Sequence, residues 1–170
     1  MLPTLTGATV VLRPLIPADR ERIGLILAEP EVARWWGQGG PRAAVEGWFE
    51  DISNTFAIEV GGTVVGSVQF SEELDPDYRC AGIDLFLTTA AHGRGLGRDT
   101  VRTLARFLLE ERGHHRITID PSAANERAIR AYRAVGFRPV GVMRRYERGP
   151  DGTWHDGLLL DLLAGDLTSA

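Results

Sequence analysis

Lysine is missing from this chain of 170 residues, so all 19 of its basic side chains are arginines. That usage fits the codon bias of a GC-rich genome and says little about mechanism. Cysteine is nearly absent too. With Cys80 alone there is no disulfide framework and no clustered thiolate metal site, and no metal is expected. No hydrophobic run approaches the roughly 20 residues of a membrane span, and no basic-then-apolar segment resembles an export signal. A cytoplasmic protein without membrane contact is therefore expected. Positive charge is in deficit, with 23 acidic residues against 19 basic and a net charge of −4. That balance argues against non-specific nucleic-acid binding and suits a cationic partner. The remaining composition is ordinary, 44% hydrophobic and 25% charged, enough for a single domain over 1–170 with a sizeable core.

Hydrophobic periodicity lays out the elements. Residues 8–13 are a β-branched strand stopping before Pro14. Pro17-Ala18-Asp19-Arg20 opens a helix with Ile23, Leu25, Ile26 and Leu27 on its apolar face, ended by Pro30. A short helix over 31–36 runs into Gly37-Gln38-Gly39-Gly40, a mobile loop by composition. A third helix over 42–52 turns Val45, Trp48 and Phe49 inward. Residues 55–60 and 63–70 flank Gly61-Gly62 as a hairpin, and 79–87 form the next strand. The longest helix, 95–112, spaces Leu96, Val101, Leu104, Ala105, Leu108 and Leu109 along one face. A strand over 114–120 stops at Pro121; its adjacent His114 and His115 would point to opposite sides, which suits surface residues better than metal ligands. Ser122 or Asn125 caps a helix that buries Ala128, Ile129, Tyr132 and Val135 and stops at Gly136-Phe137. Strands over 138–147 and 153–163 close the chain. The expected fold class is α/β, a mixed central sheet of about seven strands with helices on both faces.

Four stretches point to chemistry. Ala91-His92-Gly93-Arg94-Gly95-Leu96-Gly97-Arg98 joins a strand to the longest helix, an arrangement that aims backbone N–H groups at one point and attracts phosphate. Walker A is excluded because Arg98-Asp99 stands where Lys-Ser/Thr is needed. A dinucleotide fingerprint is excluded because Arg98 fills its last glycine position. A flexible glycine-rich connection is the bland alternative. Asp84 is the one charge inside the strand feeding this turn; a carboxylate buried there unpaired would cost several kcal/mol, so a polar cleft, a partner or a raised pKa is required. Finally, Ser71-Glu72-Glu73-Leu74-Asp75-Pro76-Asp77 is acidic, either simply solvated or cation-binding, and Trp35-Trp36 is either an aromatic wall or core.

The turn His92-Gly93-Arg94-Gly95-Leu96-Gly97 resembles the acyl-CoA loop of the GNAT N-acyltransferase superfamily, Gln/Arg-x-x-Gly-x-Gly/Ala, with His at the first place. The stretch from Asp120-Pro121-Ser122 through Asn125 and Tyr132 to Gly136-Phe137 is similar to aminoglycoside 6′-N-acetyltransferases. So are Gly82-Ile83-Asp84, Val32-Ala33-Arg34-Trp35-Trp36-Gly37 and Glu72-Glu73-Leu74-Asp75-Pro76. One departure is Gln69-Phe70-Ser71, where those enzymes carry further aromatic and acidic residues. The resemblance implies direct transfer of an acetyl group from acetyl-CoA to a primary amine. Leu85, Phe86 and Leu87 would pair with the pantetheine arm through a splayed strand edge. His92, Gly93, Arg94, Gly95, Leu96, Gly97 and Arg98 would hold the pyrophosphate, with Asn125, Ala128 and Tyr132 along the arm. Asp84 would be the general base, Asp120 would share its cleft and Tyr132 would donate to the departing sulfur; capping for Asp120 and plain core for Tyr132 are the bland alternatives. Trp35, Trp36, Glu72, Glu73, Asp75, Asp84 and Asp120 would receive a polycationic small-molecule amine. The alternatives are a protein N-terminus, a side-chain amine or a polyamine as acceptor, and a non-catalytic acyl-CoA-binding module. A homodimer through residues 144–163 is a further expectation from family analogy.

Overall fold

A computed structural model describes residues 2–37 and 39–169, in which one eight-stranded sheet runs in the order β1-β2-β3-β4-β5-β6-β8-β7. The strands are β1 (Leu5–Thr6), β2 (Val11–Pro14), β3 (Thr55–Val60), β4 (Thr63–Glu73), β5 (Cys80–Leu87), β6 (Arg116–Ile119), β7 (Arg138–Arg148) and β8 (Trp154–Leu163). The eighth strand beyond the expected seven is the two-residue β1, which pairs with β2 at the sheet edge. All neighbours are antiparallel except β5 and β6.

Alternation along β5 sorts the two faces of the sheet. Ile83, Leu85 and Leu87 enter a core with Leu96, Leu104 and Leu108 of α4 (Leu96–Glu110) and Val135 of α5 (Glu126–Val135). Phe86 turns the other way, into a second core with Leu15, Ile23, Ile26 and Trp48. That core is covered by α1 (Arg20–Leu27), α2 (Pro30–Trp36) and α3 (Gly40–Trp48). Asp84 belongs by the same alternation to the side of Phe86.

Local sequence explains most boundaries. Asn125 caps α5, its side chain accepting from the Ala128 N–H at 3.2 Å, and Gly136 ends it at φ 120°. A Cβ at Gly136 would lie 2.0 Å from the Asp166 carbonyl oxygen, so only glycine fits. The third helix starts at Gly40, earlier than expected, because Gly39 in the left-handed region (φ 71°) caps it and Pro41 sits in its first turn, and it stops at Trp48, short of the expected end at 52. Within the Gly-rich loop before it, Gln38 lies outside the described residues. Leu25 is 60% exposed rather than part of the α1 apolar face. β6 is shorter than expected, and His114 before it is buried instead of superficial. Asp99 ties the N-terminus to α4: its carboxylate accepts from the N–H groups of Ala8, Thr9 and Val10 at 3.0, 2.7 and 2.9 Å.

Candidate functional site

β5 and β6 pair only at Ala81↔Ile117 and Gly82↔Thr118. Beyond Gly82, β5 keeps β4 as a neighbour and its other edge is open through Leu87. Into this opening project the glycine turn, α5 and α2. Gly93 and Gly95 adopt φ 73° and 78°, and Gly95 is the N-cap of α4. The first N–H groups of that helix have no carbonyl a turn earlier, which makes its start an anion site.

One cavity runs along the open edge. Leu85, Phe86, Leu87, His92, Gly93, Gly95, Leu96, Gly97 and Arg98 line one wall; Asn125, Ala128 and Tyr132 of α5 line the other. Arg127 and Arg130 join them, giving three guanidinium groups against the single carboxylate of Glu31. Arg94 is exposed on the turn and does not line this cavity. His92 bonds the Leu87 carbonyl through Nε2 at 3.0 Å, which fixes the proton on Nε2 because a carbonyl can only accept. Burial, helped by Arg127, lowers its pKa and keeps the ring neutral. His92 therefore closes the end of β5 while its Nδ1 is a buried acceptor with no partner.

A second cavity adjoins the first. Trp35, Trp36, Leu85, Asn125 and Tyr132 line both. The second adds Asp84, Asp120, Ser122, Tyr146 and Glu147, with no cationic side chain in its wall. The parallel register explains the carboxylate pair. Gly82 faces Thr118, so Asp84 and Asp120 lie two residues further along each strand, on one face, either side of the gap. Burial raises the Asp84 pKa to about 6, with repulsion from Asp120 adding to it and a hydrogen bond with Gln69 opposing it. Glu147 is raised by burial and by Asp120. The Tyr132 hydroxyl is held above its ordinary pKa by burial and by the charge of Asp84.

Helices on the other side of the cleft are held by specific contacts. The Thr88 hydroxyl and the Thr89 N–H both donate to Glu29 at 2.6 Å, tying the start of α2 to the end of β5. Trp36 packs edge-on against Trp48 at 5.4 Å, and Trp48 donates through Nε1 to the Ser67 hydroxyl at 2.9 Å. Trp36 thus serves as both core and cleft wall. Trp35 carries Arg34 on its ring, 4.8 Å from the centroid.

The acidic stretch is not assembled with the carboxylate pair. Glu72 belongs to β4, where it pairs with Arg112 at 2.5 Å and His114 at 2.6 Å near the C-terminal end of α4. Alternation puts it on the α4 side of the sheet, opposite Asp84, so its expected role in receiving substrate is corrected to anchoring that helix. Glu73 and Asp75 line neither cavity; their carboxylates accept from the N–H groups of Asp75 and Asp77. Arg127, Arg130, Tyr146 and Glu147 are cavity residues that motif reading missed. The two arginines had a signal, a basic first half of a helix facing a phosphate turn.

A family model described as an acetyltransferase (GNAT) domain matches residues 9–138. The chain belongs to the GNAT acetyltransferase family. It is an N-acetyltransferase, and acetyl-CoA is the co-substrate of the family's reaction. An aminoglycoside N(6′)-acetyltransferase type 1 from Klebsiella pneumoniae is 29% identical, covering 88% of this chain and 82% of that protein. The structure of AAC(6′)-Ib in complex with ribostamycin and coenzyme A superposes with a TM-score of 0.75 at 26% identity, covering 93% of this chain and 95% of that one. Mycobacterium smegmatis RimJ in complex with CoA-disulfide shares the fold, with a TM-score of 0.86 at 23% identity, over 99% of this chain and 90% of that one. Membership of a catalytic family sets aside the reading of a non-catalytic acyl-CoA module. Among the described residues no helix is long and apolar enough to cross a membrane.

Proposed function

We propose that this GNAT enzyme acetylates a primary amine of a small polycationic acceptor, an aminoglycoside of the 6′-amino type, and so confers resistance to it in the cytoplasm. The observation that carries the reading is the charge sorting of two cavities with a common wall. One is lined by Arg98, Arg127 and Arg130, the other by Asp84, Asp120 and Glu147, and they share Trp35, Trp36, Leu85, Asn125 and Tyr132. A polyanionic donor and a polycationic acceptor would meet at that wall. The similarity to an aminoglycoside acetyltransferase over most of the chain supports the same acceptor class.

The donor cavity fits coenzyme A. The amides from Gly93 to Arg98 and the start of α4 would take the pyrophosphate, with the three arginines adding charge. The open edge of β5 at Leu85, Phe86 and Leu87 would pair with the amides of the pantetheine arm as an added strand would. Asn125 and Ala128 flank that path.

The acceptor arrives as an ammonium ion. Asp84 takes its proton, Asp120 holds the cation, and the freed nitrogen attacks the thioester carbonyl carbon. The carbon–sulfur bond then breaks, the nitrogen gives its second proton to the departing sulfur so that coenzyme A leaves as the thiol, and Tyr132 donates a hydrogen bond to that sulfur as its charge develops. With its pKa raised, Tyr132 stays protonated and acts as a donor rather than by surrendering its proton. A base near pKa 6 is about 90% ionised at pH 7 and still basic enough to work. Much of the acceleration comes from holding amine and thioester together, worth up to ~7–11 kcal/mol in well-oriented cases.

Thiol release from acetyl-CoA, measured with kanamycin-like sugars, polyamines and peptides, tests the proposal. Aminosugars should give the highest kcat/KM, with a singly acetylated product by mass. A preference for peptides would reassign the acceptor to a protein amine, and thiol release independent of any amine would refute amine transfer.

A further inference from the structure

Between Met143 and Glu147 the β7–β8 register breaks: Met143 pairs with Gly157 and Glu147 with His155, so three residues of β7 oppose one of β8. Inside this bulge Arg145 has φ 49°, the one positive φ of a non-glycine residue among those described. An arginine in the left-handed region is disfavoured unless its surroundings impose it. They do: the Asp156 carboxylate accepts from the Arg145 N–H at 2.8 Å. Gly157 leaves room beside it, since a Cβ there would come within 2.8 Å of the Tyr146 ring. The consequence is that the Tyr146 hydroxyl reaches across and donates to the Asp120 carboxylate.

We propose that Tyr146 is a positioning residue for the acceptor: presented by the β7 bulge, it fixes Asp120 as the carboxylate that holds the ammonium group and leaves Asp84 to take the proton. This rests on the acceptor reading above. Two carboxylates that share a cleft compete for one proton, and a donor on one of them decides the competition. Tyr146 bonds Asp120, whereas Asp84 has the amide of Gln69 and no hydroxyl. Because Asp120 keeps the Tyr146 phenol up at about 12, it remains a donor throughout the working range. The other titratable groups lining the cavity with the pair are Glu147 on β7 and Tyr132 on α5; Arg127 acts on Tyr132, and His155 on Glu147, from outside that cavity. Tyr146 is 48% exposed and outside the donor cavity, so its loss should leave the core and coenzyme binding intact.

Tyr146→Phe should raise the acceptor KM about tenfold, as expected for losing a hydrogen bond to a charged group. The kcat should stay within about threefold and the KM for acetyl-CoA should not move. In an Asp120→Asn background the same change should have less than about a twofold effect. Gly157→Ala, which displaces the tyrosine ring away from the coenzyme cavity, should reproduce the KM change. Calorimetric titration with kanamycin should show the same weakening without turnover. Equal effects in the wild-type and Asp120→Asn backgrounds, or a lowered Tm with unchanged amine affinity, would overturn the proposal. If the wild type bound kanamycin in a Tyr146-dependent way yet acetylated no amine, the proposed reaction would fail while this assignment stood.

Discussion

Replacing Asp84 by asparagine should make the protein more stable and nearly inactive at once. The carboxyl has a folded pKa of about 6 against an ordinary 3.8, chiefly because burial disfavours its charge. At 1.36 kcal/mol per pKa unit the charged side chain costs the folded state roughly 3 kcal/mol above pH 6. Part of that is repulsion shared with Asp120, so about 1–3 kcal/mol should be recovered by a neutral isostere able to keep the Gln69 contact. For a chain of this size that corresponds to a Tm increase of about 3–8 °C. The sign is checked by pH. Between 3.8 and about 6 the folded wild type binds a proton that the unfolded chain does not, so its stability from this group is complete below 3.8 and lost as pH rises through 6. The gap in Tm between Asp84→Asn and wild type should therefore be largest at pH 7.5 and close toward pH 4. In parallel, kcat/KM for amine acetylation should drop at least tenfold. Thermal scanning at several pH values, with thiol release alongside, measures both. Equal melting at pH 7.5, or a gap that ignores pH, would show that Asp84 is not a buried charge; retained activity would remove it as the base.

Tyr132→Phe should lower kcat about 10- to 100-fold while leaving the KM for acetyl-CoA within about threefold, because the hydroxyl is needed at the departing sulfur and the ring still packs on Phe137; steady-state kinetics against both substrates decides it, and an unchanged kcat would return this residue to the core alone. Gly136→Ala should destabilise by about 2–4 kcal/mol, since its φ of 120° and a contact of 2.0 Å to the Asp166 carbonyl leave no room for a methyl group. Urea denaturation should show the midpoint falling with an unchanged slope.

Much of the site was legible because its parts are local. A charge inside an apolar strand, a glycine turn opening a long helix, and an asparagine cap each announce themselves within ten residues. What escaped depends on which face or register a residue takes. Glu72 sits only one position along from the face of Asp84, yet alternation sends it to α4, where Arg112 and His114 neutralise it. His114 looked superficial for the same reason: its partner lies 42 residues away. Tyr146 could not be found at all from sequence, because an arginine in a left-handed bulge carries none of the glycine or asparagine signals that mark such backbone.

The cleft itself has a cause in the chain that leaves β6. Pro121 has no N–H to continue a ladder, and residues before proline stay extended. After Ile119 the strand therefore leans on β8 alone: Leu158 donates to the Pro121 carbonyl at 2.9 Å, Ser122 bridges Gly157, and Ala123 donates to the Asp156 carbonyl at 2.8 Å. Each of those contacts draws residues 120–123 away from β5 and leaves its edge unpaired. The same Asp156-Gly157 pair also shapes the bulge that presents Tyr146, through the Arg145 N–H and the missing Cβ. One short stretch of β8 thus both pulls the split open for the donor and furnishes the acceptor side with its tyrosine. Side-chain substitutions at Asp156 and Gly157 leave those backbone contacts in place, so they should alter amine recognition through Tyr146 while the coenzyme cavity keeps its lining.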